Sequence, residues 1–246
     1  MAKENAQKEV PAASSADPAL AETKKAFQEF VYIVSHDLNA PLRSVVSFSQ
    51  LLKDKYNPVL DEKGLRYLDL IVDSGRKAQL LLGELIKFSR LNTVPLRMEK
   101  VDTRQLVDAW LKEAGPQISA KGAKVETGPL PQVMGDRERL YMLFDAVLGN
   151  ALKFCVKPPE IAVSAQHKGG QWMLSVRDNG IGIAPQHFEA VFIMFRKLNK
   201  EEDYPGAGMG LTLAKKIVEL HGGTLWLESQ PNEGSTFYFT LPAAPD

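Results

Sequence analysis

The adjacent residues His36 and Asp37 have the side chains and the spacing that phosphoryl capture requires. A carboxylate that accepts the Nδ1 proton leaves the Nε2 lone pair free, so the ring becomes a nitrogen nucleophile near neutral pH. Pro41 follows five residues after the histidine, and its ring and missing N–H group perturb a helix there. An arbitrary exposed histidine on a helix usually has no function, and Pro41 taken alone is equally well explained as a packing kink.

Two segments of the C-terminal half combine polar residues and glycines in ways that suit a nucleotide. Asn150 and Lys153 lie one turn apart on a predicted helix, where the amide oxygen can ligate Mg²⁺ and the ammonium group can reach a phosphate. Asp178 follows a predicted strand and can accept the adenine amino group, while Gly180 and Gly182 allow close approach of the backbone. Taken alone, the second segment is more often an ordinary Asn-Gly turn.

Two further segments follow in order. An aromatic stripe at 188–195 precedes a basic pair, and we interpret it as the hinge of a lid that makes Lys197 available to a terminal phosphate. Taken alone, the stripe is more simply interpreted as part of the hydrophobic core, followed by a solvent-exposed basic pair. The glycines Gly206, Gly208 and Gly210 permit tight turns before a helix whose N–H groups can bind an anion, although Gly-x-Gly-x-Gly is weak evidence by itself.

The order and spacing of these segments resemble those of two-component sensor histidine kinases. The segment around His36 resembles their H-box, which implies that His36 is the phospho-acceptor and Asp37 its acid/base neighbour. The four later segments resemble the N, G1, F and G2 boxes of the Bergerat-type ATPase domain, so the resemblance implies ATP and Mg²⁺ as cofactors, with Asn150 as the metal ligand. The residues implied to bind the nucleotide are Asn150, Lys153, Phe154, Asp178, Gly180, Gly182, Ile183, Lys197, Gly206, Gly208, Gly210 and Leu211.

The resemblance extends from about residue 20 to residue 242. The stretch Glu-Glu-Asp-Tyr-Pro-Gly at 201–206 is most similar to the phytochrome-associated subgroup. The segments His-Gly-Gly at 221–223 and Gly-Ser-Thr-Phe at 234–237 also look like the closing segments of histidine-kinase catalytic domains.

Three alanines depart from the family pattern. Ala146 stands where a second asparagine is usual, so reduced affinity for Mg²⁺ is expected, although Asp145 beside it could compensate. Ala40 replaces the threonine or asparagine of phosphatase-competent relatives, which predicts weak dephosphorylation of a partner. Ala207 replaces a hydroxyl residue, and the loss of one hydrogen bond from the lid is expected to lower ATP affinity without abolishing it.

Helical periodicity predicts the element that presents the histidine. Apolar residues recur at three-and-four spacing, which predicts a helix from Asp17 to Asp54, a turn, and a second helix from Leu65 through Ile86. His36 lies off this stripe and is predicted to point away from the core. Two helices enclose too little core to stand alone, so we expect two such hairpins to form a four-helix bundle across the axis of a homodimer.

Beyond Val94 the pattern changes to alternating helices and β-rich runs, and an α/β domain is predicted to begin near Met98. The predicted fold is α+β, a dimeric helical-hairpin four-helix bundle followed by a Bergerat-type α/β sandwich. The predicted helices are 102–120, 136–154 and 209–221, a hairpin turns at 168–170, and the last strands lie around 224–229 and 235–241. The predicted parts are a flexible tail (1–18), a dimerisation and phosphotransfer hairpin (19–93) and a catalytic ATP-binding domain (98–246).

Composition narrows the class of protein. The chain has 246 residues, 44% of them hydrophobic, which predicts one to two globular domains and excludes general disorder and a fibrous chain. Thirty basic residues balance 30 acidic ones, so no broad basic field is present to bind nucleic acid or an anionic membrane. The lone Cys155 cannot form an intrachain disulfide, and no apolar run approaches the ~20 residues of a membrane span. We therefore expect a cytoplasmic location without membrane contact, although the chain could be one end of a longer protein.

These observations favour an ATP-dependent protein-histidine kinase that autophosphorylates His36 and passes the phosphoryl group to an aspartate of a separate response-regulator receiver domain. Ala146 and Ala207 leave open a degenerate nucleotide-binding dimer that acts as a signalling interaction module. A topoisomerase-type or mismatch-repair-type ATPase shares the predicted fold, but the helix of His36 argues against it. A serine/threonine kinase on this fold is the remaining alternative, which the acid stability of the phosphate formed would distinguish.

Overall fold

The computed structural model describes residues 18–199, 204 and 206–245. The predicted tail, residues 1–18, lies outside the described residues except for Pro18, at which the first helix begins. None of the helices in this described part combines the length and apolarity that are needed to cross a lipid bilayer.

An antiparallel hairpin forms the N-terminal part. Its two helices are α1 (Pro18–Tyr56) and α2 (Glu62–Thr93). Lys53 near the end of α1 pairs with Asp69 near the start of α2, whereas Tyr32 of α1 accepts a 3.4 Å hydrogen bond from Arg90 near the end of α2. The side chain of Asp61 caps α2 by accepting from the N–H group of Gly64. The predicted helical hairpin is therefore confirmed.

The hairpin leaves much of its predicted apolar stripe uncovered. Val34, Leu38, Val45 and Leu52 are exposed by 36%, 47%, 49% and 48%. These side chains stay exposed because two helices can cover only one face of each other. Burial of the stripe against a second copy of the chain remains a prediction.

The C-terminal part is a two-layer α/β sandwich, and its strands form two sheets. The elements are β1 (Glu99–Asp102), α3 (Thr103–Glu113), α4 (Gly115–Lys121), β2 (Lys124–Thr127), β3 (Gln132–Gly135), α5 (Arg137–Lys153), β4 (Glu160–Lys168), β5 (Gln171–Asp178), α6 (Gly210–Leu220), β6 (Leu225–Gln230) and β7 (Gly234–Pro242). The main sheet has the order β2-β4-β5-β7-β6, in which β2 pairs parallel to β4 and the other neighbours are antiparallel. Strands β1 and β3 form a separate antiparallel pair.

Alternating burial along the strands explains the two layers. Leu174 and Val176 of β5 are fully buried, and so is Phe239 of β7, whereas the residues between them face the other side of the sheet. Helix α5 covers the apolar face, and its Phe144 packs edge to face against Phe239 with the ring centroids 5.6 Å apart. The long helix α5 is thus fixed along its whole length against the sheet.

Two predictions for this part need correction. The predicted helix 102–120 is two helices, α3 and α4, because Gly115 and Pro116 interrupt it after Ala114. The strands β1, β2 and β3 were not predicted, since each has only four residues and shows too little alternation for recognition. The predicted helices at 136–154 and 209–221, the turn at 168–170 and the last two strands are confirmed within two residues.

A buried histidine joins α6 to the start of α5. His221 is 4% exposed, its Nε2 accepts from the N–H group of Asp136 at 2.9 Å, and its Nδ1 lies 2.7 Å from the carbonyl oxygen of Ile217. Since a carbonyl only accepts, Nδ1 carries the proton and the ring is neutral. Burial lowers the pKa of His221, and the Ile217 carbonyl and the Asp136 carboxylate oppose this only in part.

Acidification is therefore expected to destabilise the sandwich through His221. In the unfolded chain this side chain takes up a proton near pH 6.5, whereas in the folded chain it resists protonation to lower pH. The unfolded state then binds more protons, so the free energy of unfolding falls as the pH drops from about 6.5 towards the folded-state pKa. Urea unfolding at about pH 7.5 and 5.5 measures this loss. The loss should shrink in His221→Gln and persist in His167→Gln, whose histidine is exposed; equal losses in both variants would contradict the assignment.

Candidate active site

A cavity of about 590 Å³ opens between the end of α5, the end of β5 and the start of α6. Its volume falls in the range of small-molecule sites, roughly 300–1,000 Å³. The residues that line it are Leu80, Glu84, Asn150, Lys153, Phe154, Asp178, Ile181, Gly182, Ile183, Ala184, His187, Val191, Arg196, Lys197, Leu198, Asn199, Tyr204, Gly206, Ala207, Gly208, Met209, Gly210, Leu211, Ser235 and Phe237.

The last turn of α5 supplies the polar end of the cavity. Asn150 and Lys153 both line it, one turn apart as predicted. Burial lowers the pKa of Lys153, and the nearby charges of Lys197 and Lys121 lower it further. Two ammonium groups, those of Lys153 and Lys197, therefore line one cavity and repel each other. An anion with several charges, such as a polyphosphate, would relieve this repulsion.

Asp178 provides a buried acceptor at the end of β5. It is 7% exposed, and its Oδ1 accepts from the N–H groups of Gly180 at 2.8 Å and Ser235 at 3.2 Å. Burial raises the pKa of Asp178, and these two hydrogen bonds oppose the rise. Because both bonds go to Oδ1, the carboxylate can accept from the amino group of a ligand through Oδ2. Gly180 is absent from the lining of the cavity and contributes its N–H group to Asp178, so its predicted contact with a nucleotide stays a prediction.

The turn at Gly182 lines the cavity and is tied to the end of α5 and to the end of β6. The residue before it, Ile181, donates its N–H to the carbonyl of Phe154 at 2.9 Å. Ile183 donates to the hydroxyl of Ser229 at 2.8 Å. Gly182 itself has φ 66°, and a Cβ there would lie 1.9 Å from the carbonyl oxygen of Gln230. Only glycine fits this close approach.

The aromatic stripe at 188–195 contributes Val191 to the lining of the cavity. One short 3-10 helix, Pro185–His187, precedes the stripe, and a second, Ala190–Phe192, lies within it. Thr212 of α6 donates to the carbonyl of Phe192 at 2.9 Å, and the N–H group of Phe195 donates to the carbonyl of Gly208 at 3.2 Å. These bonds tie the stripe to the glycine segment. A role as the hinge of a lid remains a prediction.

The glycine segment lines the cavity beside Lys153. Gly206, Gly208 and Gly210 all line it, and Gly208 has φ 72°. A Cβ at Gly206 would lie 3.2 Å from Nζ of Lys153, so the backbone passes close to this ammonium group. Leu211 follows in the first turn of α6 and lines the cavity as predicted.

Sequence reasoning missed several lining residues. Ser235 belongs to the Gly-Ser-Thr-Phe segment, so a signal for it existed. Tyr204 packs its ring on Phe154 at 4.8 Å between centroids, but a lone tyrosine carries no such signal. Leu80 and Glu84 come from α2, and only the packing of the hairpin against the sandwich brings them to the cavity.

The structure also corrects the compensation expected for Ala146. The carboxylate of Asp145 accepts a 3.0 Å hydrogen bond from Nε1 of Trp110, on the side of α5 that faces α3. Ala146 instead faces the glycine segment, with its Cβ 3.7 Å from where a Cβ of Gly210 would lie. Asp145 is therefore held away from the cavity and does not replace the missing asparagine.

The predicted nucleophile lies outside the cavity. The side chain of His36 is 72% exposed, and its Nδ1 lies 3.2 Å from Oδ1 of Asp37. This pairing is the one that leaves Nε2 available as a nucleophile. In the described part of the chain, no residue of α1 lines the cavity. A reaction between the two sites thus requires movement of the hairpin relative to the sandwich or the participation of a second chain.

Comparison with known families accounts for both sites. The His Kinase A (phospho-acceptor) domain matches residues 28–93, and the Histidine kinase-, DNA gyrase B-, and HSP90-like ATPase matches residues 135–245. The mycobacterial sensor histidine kinase MprB is 30% identical, and the match covers 61% of this chain and 99% of that structure with a TM-score of 0.54. The chain belongs to the histidine kinase family. The phospho-acceptor match separates this histidine kinase from the topoisomerase-type ATPases.

The histidine kinase has longer relatives. It is 38% identical to the phytochrome-like protein Cph1 of Synechocystis sp., over 87% of this chain and 29% of that protein. The structure of full-length ShkA in complex with AMPPNP has a TM-score of 0.68 and 26% identity, over 89% of this chain and 46% of that one. The chain thus spans less than a third of the phytochrome relative and less than half of ShkA.

Proposed function

We propose that this histidine kinase transfers the γ-phosphoryl group of ATP to Nε2 of His36. The observation that carries the proposal is an exposed His36–Asp37 pair in the same chain as a cavity with two ammonium groups. The Nε2 lone pair forms a bond to the γ-phosphorus while the bond to the β,γ-bridging oxygen breaks, and ADP leaves. The ring then carries its Nδ1 proton as an imidazolium, and the carboxylate of Asp37 stabilises this charge.

The residues of the cavity divide into those for the base and those for the phosphates. Asp178 would accept the adenine amino group, and Lys153 and Lys197 would bind phosphate oxygens. Asn150 lies beside Lys153 and offers an amide oxygen to Mg²⁺, which keeps several waters and takes the rest of its ligands from phosphates. One side-chain ligand is therefore enough, and the bound ion would neutralise charge on the transferring group.

We also propose the assembly and the partner. A second copy would bury the exposed stripe of α1 and complete a four-helix bundle from residues 19–93, while residues 98–246 would form the catalytic domain. The phosphohistidine would pass its phosphoryl group to an aspartate of a separate receiver domain, because the exposed His36 remains accessible after transfer. As the reaction consumes ATP, we propose the cytoplasm as its location.

The chemistry of the label tests the proposed function. The chain is incubated with γ-labelled ATP and Mg²⁺, and the expected label is labile in acid and stable in base, as a phosphoramidate bond is. An acid-stable label would overturn the proposal in favour of a hydroxyl acceptor. The absence of label in the presence of measured ATP binding would favour the nucleotide-binding interaction module. Transfer to an added receiver domain should convert the label to a base-labile acyl phosphate.

A further inference from the structure

The end of α2, residues 90–94, contacts both halves of the chain. On the hairpin side, the guanidinium of Arg90 lies over the ring of Tyr32 at 5.4 Å from its centroid and donates to its hydroxyl. Tyr32 lies one turn before His36, and their ring centroids are 6.4 Å apart. A displacement of the α2 end is thus transmitted directly to the helix that carries His36.

On the sandwich side, Arg139 binds the same segment. It lies in the first turn of α5 and is 6% exposed. Its Nη1 donates to the carbonyl oxygen of Leu91 at 3.1 Å, and its Nη2 donates to the carbonyl oxygen of Val94. Carbonyls at the end of a helix lack intrahelical partners and carry the negative end of the helix dipole. A guanidinium fits this site because it is positively charged and its two terminal N–H₂ groups can donate to two carbonyl oxygens at once.

Two buried residues fix the orientation of Arg139. The carboxylate of Asp136 accepts from the N–H groups of Arg97 at 3.0 Å and Arg139 at 3.2 Å, and it lies 3.7 Å from Nε of Arg139. Burial alone would raise the pKa of Asp136, but these hydrogen bonds and the charge of Arg139 hold it below its usual value. The N–H group of Asp136 in turn donates to His221. Asp136 thus contacts Arg139 directly, and His221 supports Asp136 through its backbone.

We call the contact of Arg139 with the carbonyl oxygens of Leu91 and Val94 the clasp. Helix α5 connects this clasp to the cavity. Asn150 follows Arg139 by eleven residues, which is close to three full turns, so the two side chains leave the same side of α5. Leu80 and Glu84 of α2 line the cavity near Asn150, whereas Leu91 of α2 meets Arg139. Helix α2 therefore contacts the cavity wall and Arg139 at two points along its length, and in the sandwich it packs against α6, which in turn packs on α5.

We propose that Arg139 is a positioning residue for phosphoryl transfer, which anchors the end of α2 to the start of α5 so that the hairpin that carries His36 moves about one fixed point. The inference rests on the proposed function. A buried arginine adds little to stability over an apolar side chain of similar size, but it imposes a specific geometry. The clasp lies where the chain passes from hairpin to sandwich, so it is the fixed point for any movement that brings His36 to the cavity.

Arg139→Ala and Arg139→Lys in the full chain test the inference, with Arg104→Ala as the matched control because Arg104 pairs only with Asp108 on its own exposed helix face. At saturating Mg²⁺-ATP, Arg139→Ala should form phosphohistidine roughly 10–100-fold more slowly, because a small misplacement of reacting groups costs about that factor. The KM for ATP and the stoichiometry of a bound fluorescent ATP analogue should stay unchanged. Arg139→Lys, which keeps the charge, should be intermediate.

The outcomes separate a positioning role from a structural one. An unchanged or faster rate in Arg139→Ala would overturn the inference, and so would a loss of nucleotide stoichiometry in proportion to the loss of rate. If Arg139→Ala does not fold, the kinetics of Arg139→Lys decide. A lower kcat with an unchanged KM for ATP is expected, and an unchanged kcat would overturn the inference. If the unaltered chain gives no phosphohistidine, the proposed function fails, and amide hydrogen exchange decides the inference: nucleotide should change exchange at 94–98 more in the unaltered chain than in Arg139→Lys. Equal changes in both would overturn it.

Discussion

A His36→Gln chain is expected to form no acid-labile phosphate, while its affinity for ATP stays within about twofold of the unaltered chain. Glutamine keeps a polar side chain of similar length on the exposed face of α1, but its amide nitrogen has no lone pair available for attack on phosphorus. ATP affinity should be unaffected, because His36 does not line the cavity. The measurements are incorporation of γ-label after base treatment and titration with a fluorescent ATP analogue.

Two further variants make this result specific. His167→Gln removes another exposed histidine, on β4, and should leave the label unchanged. Asn150→Ala keeps the acceptor but removes the proposed ligand of Mg²⁺. It should therefore also lose the label, in this case because the binding of Mg²⁺-ATP is weakened. Residual acid-labile label in His36→Gln would place the acceptor at another histidine.

A Gly182→Ala chain is expected to lose ~3 kcal/mol or more of unfolding free energy and to bind ATP at least tenfold more weakly. The new Cβ would lie 1.9 Å from the carbonyl oxygen of Gln230, so the turn must move away from the end of β6. The same turn carries the hydrogen bond from Ile181 to Phe154 and lines the cavity. Stability and binding should therefore fall together.

Gly169→Ala is the matched control for this substitution. Gly169 has φ 59°, close to the 66° of Gly182, but a Cβ at Gly169 meets nothing within 4 Å. Only the strain of a left-handed alanine remains there, which costs ~1–2 kcal/mol. Chemical denaturation of both variants separates strain from collision, and ATP titration of the folded chains gives the second readout. Equal losses of stability in the two variants would show that the close approach to Gln230 is unimportant.

Regular, long elements could be predicted from the sequence because their signal is repeated many times. Helix α1 has 39 residues and α5 has 17, so their apolar spacing recurs over several turns. The four-residue strands β1, β2 and β3 offer only two side chains on each face, and their pairing partners lie far away in the chain. Their formation depends on the sheet they join, which no local pattern records.

The same contrast holds for the site. Asn150, Lys153 and Asp178 could be predicted because each belongs to a short segment whose chemistry is complete within a few residues. Glu84 could not, because it reaches the cavity only through the packing of α2 against the sandwich. The direction of Asp145 could not be predicted either, since its partner Trp110 lies 35 residues earlier in the chain. The sequence therefore predicts site residues that belong to short motifs, but not those that only the packing of distant elements brings to the cavity.

The exposure of His36 has a consequence for timing. A phosphoryl group placed on a side chain that is 72% exposed is surrounded by water, not by a closed protein pocket. Its lifetime would then be governed by spontaneous hydrolysis and by collision with an acceptor, and Ala40 offers no hydroxyl or amide to speed its removal. The fraction of phosphorylated chains at any moment would therefore be a steady state, set by the rate of autophosphorylation against the combined rates of hydrolysis and transfer.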